Sequence, residues 1–248
     1  MSRGADTATF DVIVDNNLFD EATNASGGVG QLTLDMSRGV WQVLAINNTF
    51  DTPGNAPWFM RTELNATPAK VKFLNNTGIK GAFCSTDAAA AGGGCDLGAG
   101  QLCPGAAGYC GPGLRSLADV QNGGKLQLTI DGDDFAEHDA GFDPGQTFEG
   151  RALNVGAANT LCMNLKNNTA PDGYSLEQFD ASQTVNVFTA GGSGTCTTAF
   201  PETGNCRNAL NANNNKGGGG VATTTPPVVN VFNTVNVVSV ACQEPVLP

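Results

Sequence analysis

The chain has 248 residues, a length at which a β-rich protein can bury a sizeable core as one domain. Charged residues make up only 14% of it, the formal net charge is −11, and the pI is about 4.3. This balance offers no basic patch to neutralise phosphates, so it argues against nucleic acid and anionic membrane surfaces as partners. No apolar run approaches the roughly 18 residues that span a bilayer, so we expect no membrane insertion.

A short phrase recurs along the chain: an apolar run that ends in a pair of turn residues. It is clearest at residues 43–50 (V-L-A-I-N-N-T-F), and it recurs at 12–19 and 71–78 and, in degraded form, at 128–135 and 163–170. The intervals are 31, 28, 57 and 35 residues, counted at the first position of each pair: Asn16, Asn47, Asn75, Gly132 and Asn167. This spacing indicates a repeated unit of about 30 residues.

The local chemistry of the unit predicts strands joined by turns. Each phrase opens with a run rich in Val, Ile and Leu, which is typical of a buried strand, and the Asn pair predicts a turn. Second strand-like runs lie between the phrases, at 31–34, 58–62, 148–155 and 174–179. No stretch combines a helical period with caps, so we predict a parallel β-helix or another β-solenoid. A β-sandwich is the alternative, disfavoured because Asn-Gly hairpin signals are sparse.

Stacked units would bring the Asn residues of successive coils into register. Their side-chain amides could then hydrogen bond along the axis as a ladder. We expect neighbouring coils about 4.8 Å apart. The residues predicted to share one turn column are Asn16, Asn47, Asn75 and Asn167.

Residues 84–113 interrupt the repeat, because they lack an apolar strand and are rich in Ala, Gly and Pro. Their four cysteines are Cys84, Cys95, Cys103 and Cys110. Removing the 27 residues that these cysteines span from the 57-residue interval leaves 30, a normal repeat. We therefore predict an excursion from one coil, stapled by two disulfides whose pairing stays open. A zinc site is the alternative, but the spacing lacks a C-x₂-C knuckle.

The densest charge cluster follows the apolar run at 125–130 and surrounds His138, the single histidine of the chain. Oxygen-rich loops of this kind can bind calcium, although the spacing is not that of an EF-hand. The candidate calcium ligands are Asp131, Asp133, Asp134, Glu137, Asp139 and Asp143. The alternative is a solvated acidic turn that replaces the Asn pair.

The same cluster supplies the candidate catalytic residues Asp133, Glu137 and His138. A histidine with a carboxylate can serve as base and orienting group in hydrolysis. The chain contains no G-x-S-x-G and no H-E-x-x-H motif to accompany them. Paired carboxylates from different coils remain a route to glycoside hydrolysis.

The composition changes near residue 189. Cys196 and Cys206 lie ten residues apart among Gly, Thr and Asn, which predicts a disulfide-closed loop. Residues 211–220 are of low complexity, and we predict a flexible linker there. Two runs within 223–240 alternate valine with polar residues, and we predict that they form strands capping the solenoid.

The last two cysteines, Cys162 and Cys242, would then join the final coil to this cap. We divide the chain accordingly into coils at 1–188, including the excursion, and a C-terminal part at 189–248. That part comprises the disulfide loop, the Gly/Asn-rich linker and the capping strands.

The strand-and-Asn phrase resembles the repeats of right-handed parallel β-helix proteins, which are large secreted and surface proteins of bacteria. Residues 160–169 (T-L-C-M-N-L-K-N-N-T) and 241–245 (A-C-Q-E-P) look like the C-terminal end of such chains. There a Leu-Cys strand precedes an Asn turn and a Cys-containing end closes the protein. The resemblance implies a right-handed helix. The family includes adhesin-like proteins as well as polysaccharide lyases and hydrolases.

We therefore expect an extracellular structural or adhesive module, the C-terminal part of a longer bacterial surface or secreted protein. Its expected partner is a carbohydrate or another cell-surface ligand. Eight cysteines indicate an oxidising compartment, and we expect a signal sequence upstream because residues 1–4 are not apolar. The alternative is a hydrolase, polysaccharide lyase or esterase with its site near residues 131–143. Ice binding is disfavoured because the strands lack a repeated Thr-x-Thr.

Overall fold

The computed structural model of the protein describes eight stretches of the chain. They are residues 8–20, 32–51, 58–77, 116–135, 147–153, 158–170, 173–217 and 226–247. Sixteen strands and one helix lie within these stretches. The described residues form no helix that is both long and apolar enough to cross a membrane.

Sheet A is the largest sheet and has eight strands. In spatial order, they are β1 (Thr9–Asp15), β4 (Val40–Ile46), β7 (Ala69–Leu74), β9 (Lys125–Asp131), β11 (Thr160–Lys166), β13 (Thr184–Phe188), β16 (Val235–Val238) and β14 (Gly194–Cys196). Neighbouring strands are parallel, except that β14 runs antiparallel to β16.

Two further parallel sheets accompany sheet A. Sheet B contains β3 (Leu32–Ser37), β6 (Trp58–Glu63), β8 (Ser116–Gln121), β10 (Phe148–Ala152), β12 (Tyr174–Gln178) and β15 (Val229–Phe232). Sheet C pairs β2 (Leu18–Asp20) with β5 (Thr49–Asp51). Single bridges continue the same parallel pairing beyond β5, between Thr49 and Thr77, Asp134 and Thr169, and Thr169 and Lys216.

The chain visits the sheets in rotation, and each visit places a strand beside the strand of the visit before. We call one such pass a coil. The predicted all-β architecture with large parallel sheets is confirmed, and the rotation is consistent with a β-solenoid. Because β7 lies directly beside β9 and β6 beside β8, the 57-residue interval is a single coil, as predicted. The excursion itself lies outside the described residues.

The core follows from the two-residue period of the strands. Alternate side chains of β4 point inward, so Trp41, Val43 and Ala45 are buried while their neighbours are half-buried. Sheet B supplies the opposing side chains, and Trp58 stacks on Phe73 with ring centroids 4.6 Å apart. Full burial of each such large apolar side chain stabilises the fold by about 1.5–3 kcal/mol.

The first residue of each turn pair adopts the left-handed conformation. Asn16, Asn47, Asn75 and Asn167 have φ of 54–56°, and Gly132 takes the same place with φ of 73°. Strand register aligns the residues that precede them, so the predicted single column is confirmed. Asn tolerates this conformation better than other non-glycine residues, which explains its recurrence here.

The second residue of each pair builds the ladder that bonds coil to coil. In order along the stack, these residues are Asn17, Asn48, Asn76, Asp133, Asn168 and Asn215. The backbone N–H of each rung donates to the side-chain Oδ1 of the following rung at 2.9–3.2 Å. Most rungs also donate from Nδ2 to a backbone carbonyl, as Asn76 does to Ala45. Burial of Asn48, Asn76 and Asn215 is complete.

Two expectations about the C-terminal part were wrong. A helix, α1 (Asn205–Ala212), occupies a region for which we predicted none. Residues 211–217, predicted to be a flexible linker, instead end α1 and supply the last rung, Asn215. The intrinsic helix propensity of this eight-residue segment is low, and the helix forms because Ala209 and Leu210 are buried.

Two disulfides close the C-terminal part in the predicted pairs. Cys196 bonds Cys206 with a Cα–Cα distance of 5.9 Å, and Cys162 bonds Cys242 at 5.7 Å. The two predicted valine strands are present as β15 and β16, and each adds one more parallel strand to its sheet. The cysteines of the excursion (Cys84, Cys95, Cys103 and Cys110) lie outside the described residues.

Replacing a central rung of the ladder should destabilise the fold strongly. Asn76→Ala leaves the buried N–H of Asn48 without its acceptor, removes one of the two acceptors of Asn48 Nδ2, and deletes the hydrogen bond to the Ala45 carbonyl. Since each unsatisfied buried group costs about 1–3 kcal/mol, we expect urea unfolding to show a loss of about 3 kcal/mol or more.

The matched control is Asn17→Ala at the exposed end of the same ladder, where water can replace the lost hydrogen bonds from Nδ2 to the Asp15 carbonyl and to Asn48 Oδ1. We expect this variant to lose less than about 1 kcal/mol. Equal losses in the two variants would contradict a buried ladder.

Candidate functional site

The acidic turn after β9 places its three described carboxylates in different environments. Asp131 ends β9, forms an ion pair with Lys166 at 3.4 Å and accepts a hydrogen bond from Asn167 Nδ2 at 2.8 Å. Asp133 is buried in the ladder, and Asp134 is exposed beside it in the pairing of sheet C. The structure therefore does not bring these three side chains together around one point.

Asp133 is held by the ladder on both sides. Its Oδ1 accepts from the backbone N–H and the Nδ2 of Asn76 at 2.9 and 3.0 Å. Its own N–H donates to Asn168 Oδ1 at 2.9 Å, and the residue is 1% exposed. A substrate in solvent cannot reach this carboxyl. The position of Asp133 therefore fits a structural role in the ladder.

The pKa of Asp133 is raised to about 8, mainly by desolvation and to a smaller extent by the nearby charge of Asp131. Hydrogen bonds from Asn76 oppose this change but do not cancel it. At neutral pH the side chain is therefore mainly the neutral acid. A protonated carboxyl has an O–H donor where asparagine has an amide N–H, so the acid can take the place of the amide in this rung.

The remaining candidates, Glu137, His138, Asp139 and Asp143, lie outside the described residues, so calcium binding and catalysis there stay predictions. Elsewhere in the described stretches, one group of potential metal ligands comes together: Cys196, Glu202 and Cys206. Its two cysteines form a disulfide and offer no thiolate to a metal. Glu202 accepts backbone N–H groups near the start of α1, from Gly204 at 2.7 Å and Arg207 at 2.9 Å.

A C-terminal strap, residues 239–247, crosses the outer face of sheet A, a feature that the sequence indicated only through its cysteine. Cys242 bonds Cys162 on β11, and the N–H of Gln243 donates to Gln127 Oε1 on β9 at 3.0 Å. Because these contacts fall on successive neighbouring strands, the strap runs across the strands from coil to coil.

The strap continues over the earlier coils through charge and amide contacts. Glu244 forms ion pairs with Lys72 on β7 at 2.6 Å and with Lys166 on β11 at 3.7 Å. The N–H of Val246 donates to Gln42 Oε1 on β4 at 2.8 Å. The strap therefore links four consecutive strands of sheet A through their outward-facing side chains.

An open cavity of about 570 Å³ lies beside the start of the strap. Outward side chains of sheet A form one side of it, and the strap and the turn at 191–194 form the others. The polar side chains that line it are Gln127, Asn186, Ser193, Ser239 and Gln243. The residues that line the cavity include no acidic or basic side chain.

Charged side chains on the outer face of sheet B pair in register between coils. Arg61 on β6 reaches Asp35 on β3 at 2.6 Å, and Arg151 on β10 reaches Asp119 on β8 at 2.7 and 2.9 Å. Arg61 and Asp119 are register neighbours, so acids and bases alternate along this face. Partly buried bidentate pairs of this kind fix geometry as well as charge.

Comparisons of the chain with protein-family models, with curated proteins and with solved structures found no match. A functional proposal therefore depends on the described residues themselves: the buried ladder, the in-register ion pairs, the strap and the cavity beside it.

The raised pKa of Asp133 predicts a distinctive pH dependence. Between about pH 4, where an unfolded Asp titrates, and about pH 8, the folded state holds a proton that the unfolded state releases. The free energy of unfolding should therefore fall as pH rises, by up to about 1.4 kcal/mol per pH unit from this group, and level off above pH 8.

Asp133→Asn restores the amide of the other rungs and removes the titrating group. The free energy of unfolding of this variant, measured with urea, should lack the part of the pH dependence that comes from Asp133. The variant should also be more stable than the parent at pH 8. A parent and variant with parallel pH profiles would contradict the assignment of a protonated Asp133.

Proposed function

We propose that the protein is an extracellular, right-handed parallel β-helix that serves as a structural or adhesive module of a larger bacterial surface or secreted protein. The observation that carries the proposal is the use of polar side chains to bond one coil to the next. The buried amide ladder and the Asp–Arg pairs on the outer face of sheet B both do this. A stack bonded in this way supports a rigid, extended scaffold.

Two observations support the extracellular setting. The disulfides Cys162–Cys242 and Cys196–Cys206 suit an oxidising compartment. The strap is held by the Cys162–Cys242 disulfide and by polar contacts. It therefore favours a compartment in which this disulfide persists. The right-handed sense of the helix follows from the resemblance of the Asn-turn repeat and is part of the proposal.

The adhesive role predicts saturable binding without turnover. We would incubate the disulfide-intact protein with immobilised neutral and acidic polysaccharides and measure bound protein against concentration. In parallel, we would follow the release of reducing ends, of unsaturated uronates and of chromophore from aryl esters. We expect saturation with at least one polysaccharide and no product above the protein-free rate.

His138→Ala is the control for catalysis, because it removes the single histidine of the chain. Product formation that scales with protein and disappears in this variant would overturn the proposal in favour of an enzyme acting near residues 131–143. Binding to no polysaccharide would overturn the adhesive role.

A further inference from the structure

The cavity beside the strap is built on one row of outward side chains of sheet A. Strand register aligns Gln127 on β9, Cys162 on β11 and Asn186 on β13. The two amides therefore flank the Cys162–Cys242 disulfide, one on each side. Because neighbouring strands are about 4.8 Å apart, the amides are separated by about 10 Å along the cavity.

The hydrogen bonds of these amides determine which of their atoms remain available. Gln127 accepts the N–H of Gln243, and a backbone N–H can only donate, so the oxygen of Gln127 must face the strap. Asn186 likewise accepts from Asn236 Nδ2 at 3.0 Å. Within the described stretches, Gln127 Nε2 and Asn186 Nδ2 donate to no protein acceptor. Both amides thus retain free N–H donors at the cavity.

The rest of the lining is neutral as well. Ser193 and Ser239 supply hydroxyl groups, and both residues are exposed. Val237, Val240 and the disulfide supply apolar surface between the polar groups. A charged ligand would find no opposite charge in this lining, whereas a neutral ligand rich in acceptor oxygens matches the free donors.

We propose that this cavity binds a neutral saccharide chain, with Gln127 and Asn186 donating hydrogen bonds to its hydroxyl or ring oxygens. The inference rests on the proposed adhesive function and gives that function a site and a ligand class. A volume of about 570 Å³ lies within the range of ligand pockets, about 300–1,000 Å³. The spacing of the amides requires a ligand that extends over more than one strand interval.

The charge of the lining predicts how binding responds to salt. No ion pair forms between this lining and a neutral ligand, so affinity should be the same in low and high salt. The strap forms one wall of the cavity, and the Cys162–Cys242 bond holds it. Replacing both cysteines by serine should therefore weaken binding while avoiding new free thiols.

The test titrates the full chain, with disulfides intact, with cellotriose, maltotriose and, as the acidic comparison, trigalacturonate. NMR shifts or calorimetry with saccharide up to about 10 mM detect dissociation constants near 1 mM. We expect binding of a neutral trisaccharide, with unchanged affinity in high salt. Gln127→Ala and Asn186→Ala should each raise Kd about three- to tenfold, as expected for loss of one hydrogen bond.

Asn230→Ala on β15 is the matched control, since Asn230 does not line the cavity, and its Kd should equal that of the parent. Melting temperatures of all variants establish that they fold. Neutral-saccharide binding that is unchanged in both cavity variants would overturn this site and leave the adhesive function standing. Binding of trigalacturonate alone would overturn the neutral ligand class, and binding of no saccharide or polysaccharide would overturn both proposals.

Discussion

The buried amide ladder is the interaction on which the rest of the structure depends. Each rung after Asn17 satisfies a backbone N–H that lies in a turn, next to the core, where no strand is available to accept it. The same side chain returns a hydrogen bond to a carbonyl, as Asn168 does to Ile130. Buried polar groups must be paired, so a turn of this kind is stable only when a neighbouring coil supplies its partner. The ladder thus makes every coil depend on the next.

Asp133 takes the place of an asparagine in the ladder, and its burial there changes its protonation state. An ionised carboxylate would place a charge in a fully buried site, and the pKa rises until the neutral form prevails at neutral pH. The acidic turn is therefore not a uniform cluster of charges. Asp131 is neutralised by Lys166, Asp133 belongs to the interior, and Asp134 faces solvent. The proposed saccharide site lies elsewhere, on the neutral part of sheet A.

The repeat could be predicted from sequence because its two signals are local. An apolar strand followed by an Asn in the left-handed region gives the same short sequence pattern in each coil. The pattern at Asn16, Asn47 and Asn75 therefore identified the column of turns. Which Asn of each pair forms the buried ladder could not be predicted. Both positions carry the same residue type, and only the path of the turn directs the second side chain inward.

Long-range features were the ones that sequence analysis missed. The strap contacts are separated by up to 204 residues, as between Gln42 and Val246, and no local pattern encodes them. The cavity depends on those contacts and was likewise missed. Helix α1 is too short and too rich in Asn to be indicated by propensity, and it forms where its neighbours bury Leu210. The pairing of Cys162 with Cys242 was the one sequence signal that pointed to the strap.

Hydrogen exchange of individual backbone amides tests the ladder most directly. The N–H groups of Asn48, Asn76, Asp133 and Asn168 lie in turns, yet each donates to a buried side-chain oxygen of the next coil. NMR exchange measurements should show them protected as strongly as the strand amides of β7 and β9, so that they exchange only on global unfolding. Exchange of these four amides at the rate of exposed turns would contradict a fold held together by a buried amide ladder.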